Sequence, residues 1–331
     1  MNITLATLQS YLTNPLALLL VFLGASATMI WRLQAMESKG FEGTVLGTLI
    51  MPYCSGFANL IFAYVMSSSA ANGGLVIENC LVNNVTNLTL LLGLSAIFGS
   101  AVVMQKGASK SKAKAHAEFH RLNRLNLLVT LTALFLFTGT LWALAKDGVL
   151  DFYDGVVLVA LFLFWQVLHV FEVLKDNIRK SRSFHWSLLI DIALLGLSAY
   201  CVYYSVDRLV DWVTTNPSPY MSFAKLGWFS GLLMVVPNAF LALYYTRLGR
   251  QDIVMSSQIG DGHICIPMCI GLFALFNPIQ VPAFFQMGAY IILGAGVIHF
   301  LCVAFIGRIP RFVGMGLMGV YALFLYRGLV Q

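Results

Sequence analysis

The chain has 331 residues, 59% of them hydrophobic and only 10% charged, with a net charge of +6. A water-soluble domain of this size needs more charge than that, and the basic residues flank apolar runs instead of forming a patch. Soluble globular and nucleic-acid-binding classes are therefore excluded, and a polytopic membrane protein remains.

A membrane span needs about 20 apolar residues, and ten such runs are predicted at roughly 12–31, 43–67, 75–104, 125–146, 153–174, 184–206, 226–246, 253–276, 282–306 and 310–328. The first follows a stretch without Lys or Arg and without a convincing cleavage site, so it reads as a retained span and not a signal peptide. The third is long enough to suggest a break or tilt. Between the third and fourth lies the longest polar connection, 105–124, which reads as a solvated cytoplasmic loop. The connections alternate in charge. One set, from Arg32 and Lys39 through Lys106–Arg124, Lys175–Arg182, Arg247 and Arg250 to Arg308 and Arg311, holds 16 of the 20 Lys and Arg. The other holds only Lys146, Arg208, Lys225 and Arg327, beside several aspartates. With ten spans every basic connection falls on one side, and the positive-inside rule places both termini outside the cytoplasm. The expected location is a bacterial inner (plasma) membrane. No connection is long enough for a separate domain.

Six cysteines lie singly in apolar runs, with no CxxC pair and no His/Cys metal spacing; they read as packed thiols. His169 and Glu172, at i and i+3 on the fifth span, read as a surface pair near a span end. Asp191 lies in the sixth span. Nothing in the chain spells HExxH, a GxGD pair or a P-loop, so neither an intramembrane enzyme nor a self-contained ATP-driven pump is expected.

Asn59, in Gly56-Phe57-Ala58-Asn59, and Asn238, in Val236-Pro237-Asn238, stand at matching places in the two halves. Each is followed in the next run by a second polar cluster, Asn83-Asn84-Val85-Thr86-Asn87 and Gly260-Asp261-Gly262-His263. Polar side chains are costly in lipid and face a protein interior or a cavity. Their recurrence in both halves points to a transporter built from inverted repeats with a solute site between them. The halves are 1–180 and 181–331, five spans each, with the repeat motifs at about 52–97 and 231–276.

Glu78-Asn79-Cys80-Leu81-Val82-Asn83-Asn84-Val85-Thr86-Asn87 resembles the first alpha-repeat of the sodium/calcium exchanger (cation/calcium antiporter) superfamily, which reads G-N-x-x-G-S-N-x-F-N. Cys54-Ser55-Gly56-Phe57-Ala58-Asn59 falls where that family has G-T-S-L-P-E, Pro237-Asn238 falls on P-E, and Gly260-Asp261-Gly262 falls on G-S-N. The resemblance implies an all-α fold of about ten transmembrane helices in two inverted five-helix repeats, and secondary cation antiport. It departs at the ligands. The family's two glutamates are Asn59 and Asn238 here; its serines are Asn83 and Asp261. Its later Asn or Asp is Asn87 in the first repeat and Cys265 in the second.

The candidate ion-binding residues are therefore Ser55, Asn59, Asn83, Asn87, Asn238 and Asp261, with Asp261, Asn59 and Asn238 as the metal ligands. Thr86 offers a further hydroxyl. Only Asp261 brings charge to the motif, and divalent affinity in oxygen sites rises with ligand charge. The resemblance thus predicts an antiporter of altered selectivity, with Na+, Ca2+ or H+ as the cation and no cofactor. His263 is either a proton-relay partner of Asp261 or a packing histidine, and Glu78 either lines an external access path or snorkels to the interface. Gly260 and Gly262 mark either an unwound helix or close packing. The alternative function is a non-transporting binding or scaffold protein that retains the fold. The lipid bilayer and inorganic cations are the expected partners; the sequence fixes no oligomeric state.

Overall fold

The computed structural model describes residues 14–38, 51–68, 72–99, 110–178, 187–216 and 222–330. In chain order the first half carries α1 (Pro15–Ser38), α2 (Met51–Met66), α3 (Gly73–Val85), a π-helical segment (Thr86–Leu91), α4 (Leu92–Phe98), α5 (Lys110–Leu144) and α6 (Phe152–Ile178). The second half carries α7 (Ser187–Thr215), α8 (Leu226–Arg247), α9 (Gln251–Ile264), a second π segment (Cys265–Ile270), α10 (Gly271–Phe276), α11 (Phe285–Leu301) running into a π turn (Cys302–Ile306), and α12 (Arg311–Val330). A helix satisfies its own backbone, which is what lipid demands of any element that crosses it. Among the described residues, seven helices are long and apolar enough to cross a membrane, and Gly56–Met66 and Phe152–Leu168 are shorter apolar helices.

Two rods form the centre. α3–π–α4 and α9–π–α10 each have 78% of their membrane-length window buried, against 22% for Pro15–Arg32 and 28% for Leu189–Thr215. α1 and α7 pack chiefly on each other at the periphery, while α8 lies along α3 and α2 along α9. Small residues permit the close approach. A Cβ added at Gly231 of α8 would stand 2.8 Å from the Asn79 carbonyl oxygen and 2.9 Å from Val82 Cβ, so only glycine lets α8 lie this close to α3. α1 and α7 are joined across their interface by Arg32 Nη1 and Asp191 Oδ1, 3.4 Å apart, with Asp191 buried.

The two π segments arise from different chemistry. In the first, Thr86 and Thr89 donate to the Val82 and Val85 carbonyls at 2.7 and 2.5 Å. Such hydroxyls compete for the i−4 carbonyl and loosen the helical ladder. His299 Nε2 bonds the Leu88 carbonyl oxygen at 2.8 Å, satisfying a group inside the widened turn. In the second, Pro267 lacks the N–H that a regular α-helix would use.

Contacts between helix ends sort the connections into two sets. The strands β1 (Val149–Leu150) and β2 (Ile279–Gln280) pair antiparallel, and Asn277 Nδ2 donates to the Ser67 carbonyl at 2.9 Å. The connections after α2, α5 and α10 thus share one end of the molecule. At the other, Arg124 donates to the Ala304 carbonyl, Gln251 Nε2 to the Ser95 carbonyl at 3.3 Å, and Thr246 Oγ1 to Ser95 Oγ at 2.9 Å. This is the grouping that the alternation of charge predicts.

Three expectations change. The predicted loop 105–124 is helical from Lys110, because its Lys- and Ala-rich sequence has high helix propensity and extends α5 beyond the span. The third run does not break outright: it widens at Thr86–Leu91 and resumes as α4. Gly260 and Gly262 lie inside the continuous helix α9, and the irregularity of that rod begins only at Cys265. Residues 43–50 of the predicted second span lie outside the described residues, as do the side chains of Ser55, His169 and Glu172.

Candidate cation site

The centre of the molecule is a buried carboxylate held by amides. Asp261, on α9, is fully buried. Its Oδ2 accepts from Asn83 Nδ2 at 2.5 Å, Asn87 Nδ2 at 2.8 Å and Asn238 Nδ2 at 3.3 Å. Asn83 and Asn87 are one helical turn apart on the first rod, so i, i+4 spacing sets both amides on one face. Asn238 follows Pro237 inside α8. A buried charge is tolerable only where it is hydrogen-bonded, and three amide donors on one oxygen meet that condition.

Asn59 lies on α2, which packs against α9. It is fully buried, and neither of its amide atoms has a hydrogen-bond partner. One turn before it, a Cβ added at Gly56 would lie 3.4 Å from Asp261 Oδ1 and 3.1 Å from Ile264 Cβ, so the missing side chain brings α2 against α9 at the carboxylate. Asn59, three residues on, shares that face. Gly262 plays the same part toward the first rod: a Cβ there would meet Asn84 Oδ1 at 2.5 Å. Of the two readings, close packing is the one the structure supports at Gly262.

The donor arrangement leaves a surplus of acceptors. The amide oxygens of Asn59, Asn83 and Asn87 are buried without a hydrogen-bond partner. Which end of an amide is oxygen is an assignment made from its partners, and rotation about the last bond exchanges them. Among the described residues no three His, Cys, Asp or Glu side chains group to hold a metal ion; the cluster is one acid in a ring of amides.

His263 and Glu78 lie apart from this ring. His263 Nε2 bonds the Thr130 carbonyl oxygen of α5 at 2.9 Å, and its ring stands edge-on to Phe137 and Trp165 with centroids 5.3 and 5.7 Å away. That is a histidine packed between helices. Glu78 is near the start of α3 against α8, where a Cβ added at Gly227 would be 2.8 Å from its Oε2. Thr86 uses its hydroxyl on its own helix, with Tyr321 Oη at 3.5 Å.

Two residues near the ring were not singled out as ligands from the sequence. Cys265 Sγ lies 3.3 Å from Asn83 Nδ2, and its thiol interacts with those of Cys80 and Cys269. Its place one turn after Asp261 was the available signal. Asn79 donates to Ser230 Oγ at 2.9 Å and to Met234 Sδ at 3.3 Å, extending the polar seam one turn from Asn83.

Known proteins align with this arrangement. A profile described as "Sodium/calcium exchanger protein" matches residues 12–171, the stretch that contains Asn59, Asn83 and Asn87. Over that stretch the chain is similar to sodium/calcium exchangers. With seven membrane-length apolar helices among the described residues, the chain is an integral, multi-pass membrane protein. No curated protein sequence matches it. Among solved structures it is similar to the sodium-calcium exchanger NCX_Mj soaked with 2.5 mM Na+ and 10 mM Sr2+, with a TM-score of 0.67 at 18% identity over 97% of this chain and 98% of that one. The same exchanger soaked with 2.5 mM Na+ and 0.1 mM Ca2+ gives 0.65 at 19% identity over 94% and 96%, and soaked with zero Na+ and Ca2+ it gives 0.63 at 18% over 95% and 96%. At such identity the likeness speaks to the fold, which this chain shares along nearly its whole length.

Proposed function

We propose that this protein is a secondary cation antiporter whose site carries one negative charge, Asp261, where exchanger motifs carry two glutamates, and that it consequently favours a monovalent cation or proton over tightly bound calcium. The observation that carries this reading is the convergence of Asn83, Asn87 and Asn238 on Asp261 Oδ2. In the arrangement described, the amides turn their N–H groups to the carboxylate. Rotating them presents oxygens instead, and with Asn59 and Asp261 itself they make an oxygen shell of the number that a hard cation takes. Exchange between the two arrangements supplies a reason for the shell to release as well as bind. Calcium affinity rises with the number of carboxylates, so one acid among amides suits low divalent affinity.

The same reading includes ten spans in two inverted halves. The seven long helices, the two shorter apolar ones and α12 make that number. The charge alternation supports termini outside the cytoplasm, and the grouping of helix-end contacts is consistent with the same two sets of connections. A bacterial inner membrane remains part of the proposal.

Flux in proteoliposomes tests it, with Na+, Ca2+ and proton gradients imposed separately. The expected result is gradient-driven cation exchange by the wild type and none by Asp261→Asn. Absence of both flux and ion binding in the wild type would favour a scaffold that keeps the fold without transporting.

A further inference from the structure

Beside the central site, a lipid-facing groove of about 180 Å³ runs between α1 and α8, with Ala27, Ile30 and Trp31 on one wall and Pro237, Phe240 and Tyr244 on the other. The lining positions repeat at helical spacing, i, i+3, i+4 on α1 and i, i+3, i+7 on α8, so the groove follows the helix axes. From Pro237 to Tyr244 it is about 10 Å long at 1.5 Å per residue. One leaflet of hydrocarbon is about 15 Å deep, half of the 30 Å core. The groove thus reaches from the interface about two thirds of the way to the bilayer midplane, which is the course of an acyl chain.

Its outer end has the chemistry of a headgroup level. Trp31 and Tyr244 stand there, both more than half exposed, as aromatic residues do at a membrane interface. Each is followed by an arginine. The Arg32 guanidinium lies 3.4 Å over the Trp31 ring and is committed to Asp191. Arg247 is exposed, one turn beyond Tyr244, and makes no ion pair among the described residues; Arg250 is taken by Asp252 at 3.2 Å. Among the described residues, one uncompensated positive charge therefore remains at the mouth of an apolar slot.

We propose that this groove is a binding site for one anionic phospholipid, with an acyl chain between Ile30 and Phe240 and the phosphate on Arg247. The charge at the mouth selects the occupant: an anionic headgroup matches the single free guanidinium, whereas a zwitterionic one brings its own cation into the same place. The inference is independent of which cation the central site takes. The inner end touches Pro237, the residue before Asn238, so the lipid sits next to the helix that supplies one of the Asp261 donors.

Native mass spectrometry of the full chain in detergent tests the site, with phosphatidylglycerol and phosphatidylcholine of identical chains offered in equal amount. The wild type is expected to retain one phosphatidylglycerol at least tenfold over phosphatidylcholine. Arg247→Gln should lose that preference, and Ala27→Trp, which fills the slot, should lose retention of both. Equal retention of the two lipids by wild type, or unchanged retention in both variants, overturns the proposal. A dimer that Ala27→Trp abolishes would overturn it in favour of a second copy of this chain. Should Ala27→Trp fail to fold, quenching of Trp31 fluorescence by bromine-labelled phosphatidylglycerol decides, read as the difference between wild type and Trp31→Phe: no excess over bromine-labelled phosphatidylcholine also overturns it. Added inorganic phosphate is expected not to displace the lipid, since a free ion has no chain for the groove; displacement would show an anion site only.

Discussion

The rods Gly73–Phe98 and Gln251–Phe276 are equally buried and each widens into a π segment near its middle, yet they carry opposite halves of one interaction. The first presents amides at successive turns: Asn79, Asn83 and Asn87. The second presents one acid, Asp261, followed one and two turns later by the thiols Cys265 and Cys269. A carboxylate without donors would be costly at this depth, and a row of amides without an acceptor would be little better. Neither rod is therefore satisfactory alone. Between the two rods the electrostatics are divided, the second bringing the charge and the first two of the three amides that solvate it, with Asn238 of α8 as the third. Even the widened turns are made differently, by threonine hydroxyls in the first rod and by Pro267 in the second.

The most severe way to break this division is Asp261→Asn. The side chain keeps its size while the acceptor of three amides loses its charge. Cation-driven flux should vanish, whereas the helical circular dichroism signal should persist; residual flux at the wild-type rate would mean that the ion binds elsewhere. Charge can instead be added where exchanger motifs have glutamate. Asn59→Glu with Asn238→Glu should tighten calcium binding by about a hundredfold, about 2.7 kcal/mol, because ligand charge sets divalent affinity. Isothermal calorimetry measures it, and an unchanged dissociation constant would show that α2 and α8 do not present these side chains to a common ion.

Contact between the rods is probed by Gly262→Ala. The added methyl would stand 2.5 Å from Asn84 Oδ1, and overpacking of that kind costs about 1–3 kcal/mol. Thermal unfolding in detergent should reveal it, with Gly294→Ala, where nothing lies within 4 Å, as the neutral control. The smallest effect is expected at the far end of the seam that joins the first rod to α8. Thr246→Val removes the hydrogen bond to Ser95 Oγ and should lower stability by about 1 kcal/mol without changing cation affinity. A change in affinity would extend the working site to that end.

Much of this architecture was legible in the chain. Apolar runs of membrane length at 125–146 and 226–246 anticipate the helices of α5 and α8 within a few residues inside the membrane, because lipid compels each crossing segment to satisfy its own backbone. The basic connections anticipate which helix ends meet, since charge is sorted by side. Asn59, Asn238 and Asp261 stood out because a polar side chain in an apolar run is conspicuous by its cost. These are local properties, readable over a window of about 20 residues.

The orientation of each helix about its axis is not local, and only packing decided it. Asn83 lies 178 residues from Asp261 and Asn87 lies 174 away, so no window on the sequence places both amides on the same oxygen. The same holds for His263. Two residues from the acid in sequence, it turns to Thr130 of α5 because adjacent positions on a helix diverge and the neighbouring aromatic rings shape a slot for its imidazole. Cys265 stood at the position where exchanger motifs carry Asn or Asp, but only the fold showed that the first rod brings Asn83 to within 3.3 Å of it. Sequence by itself determined that the chain is a multi-pass membrane protein and which residues resist lipid; the tertiary structure decided which of those residues face one another, because that depends on glycine-permitted contacts between rods far apart in the chain.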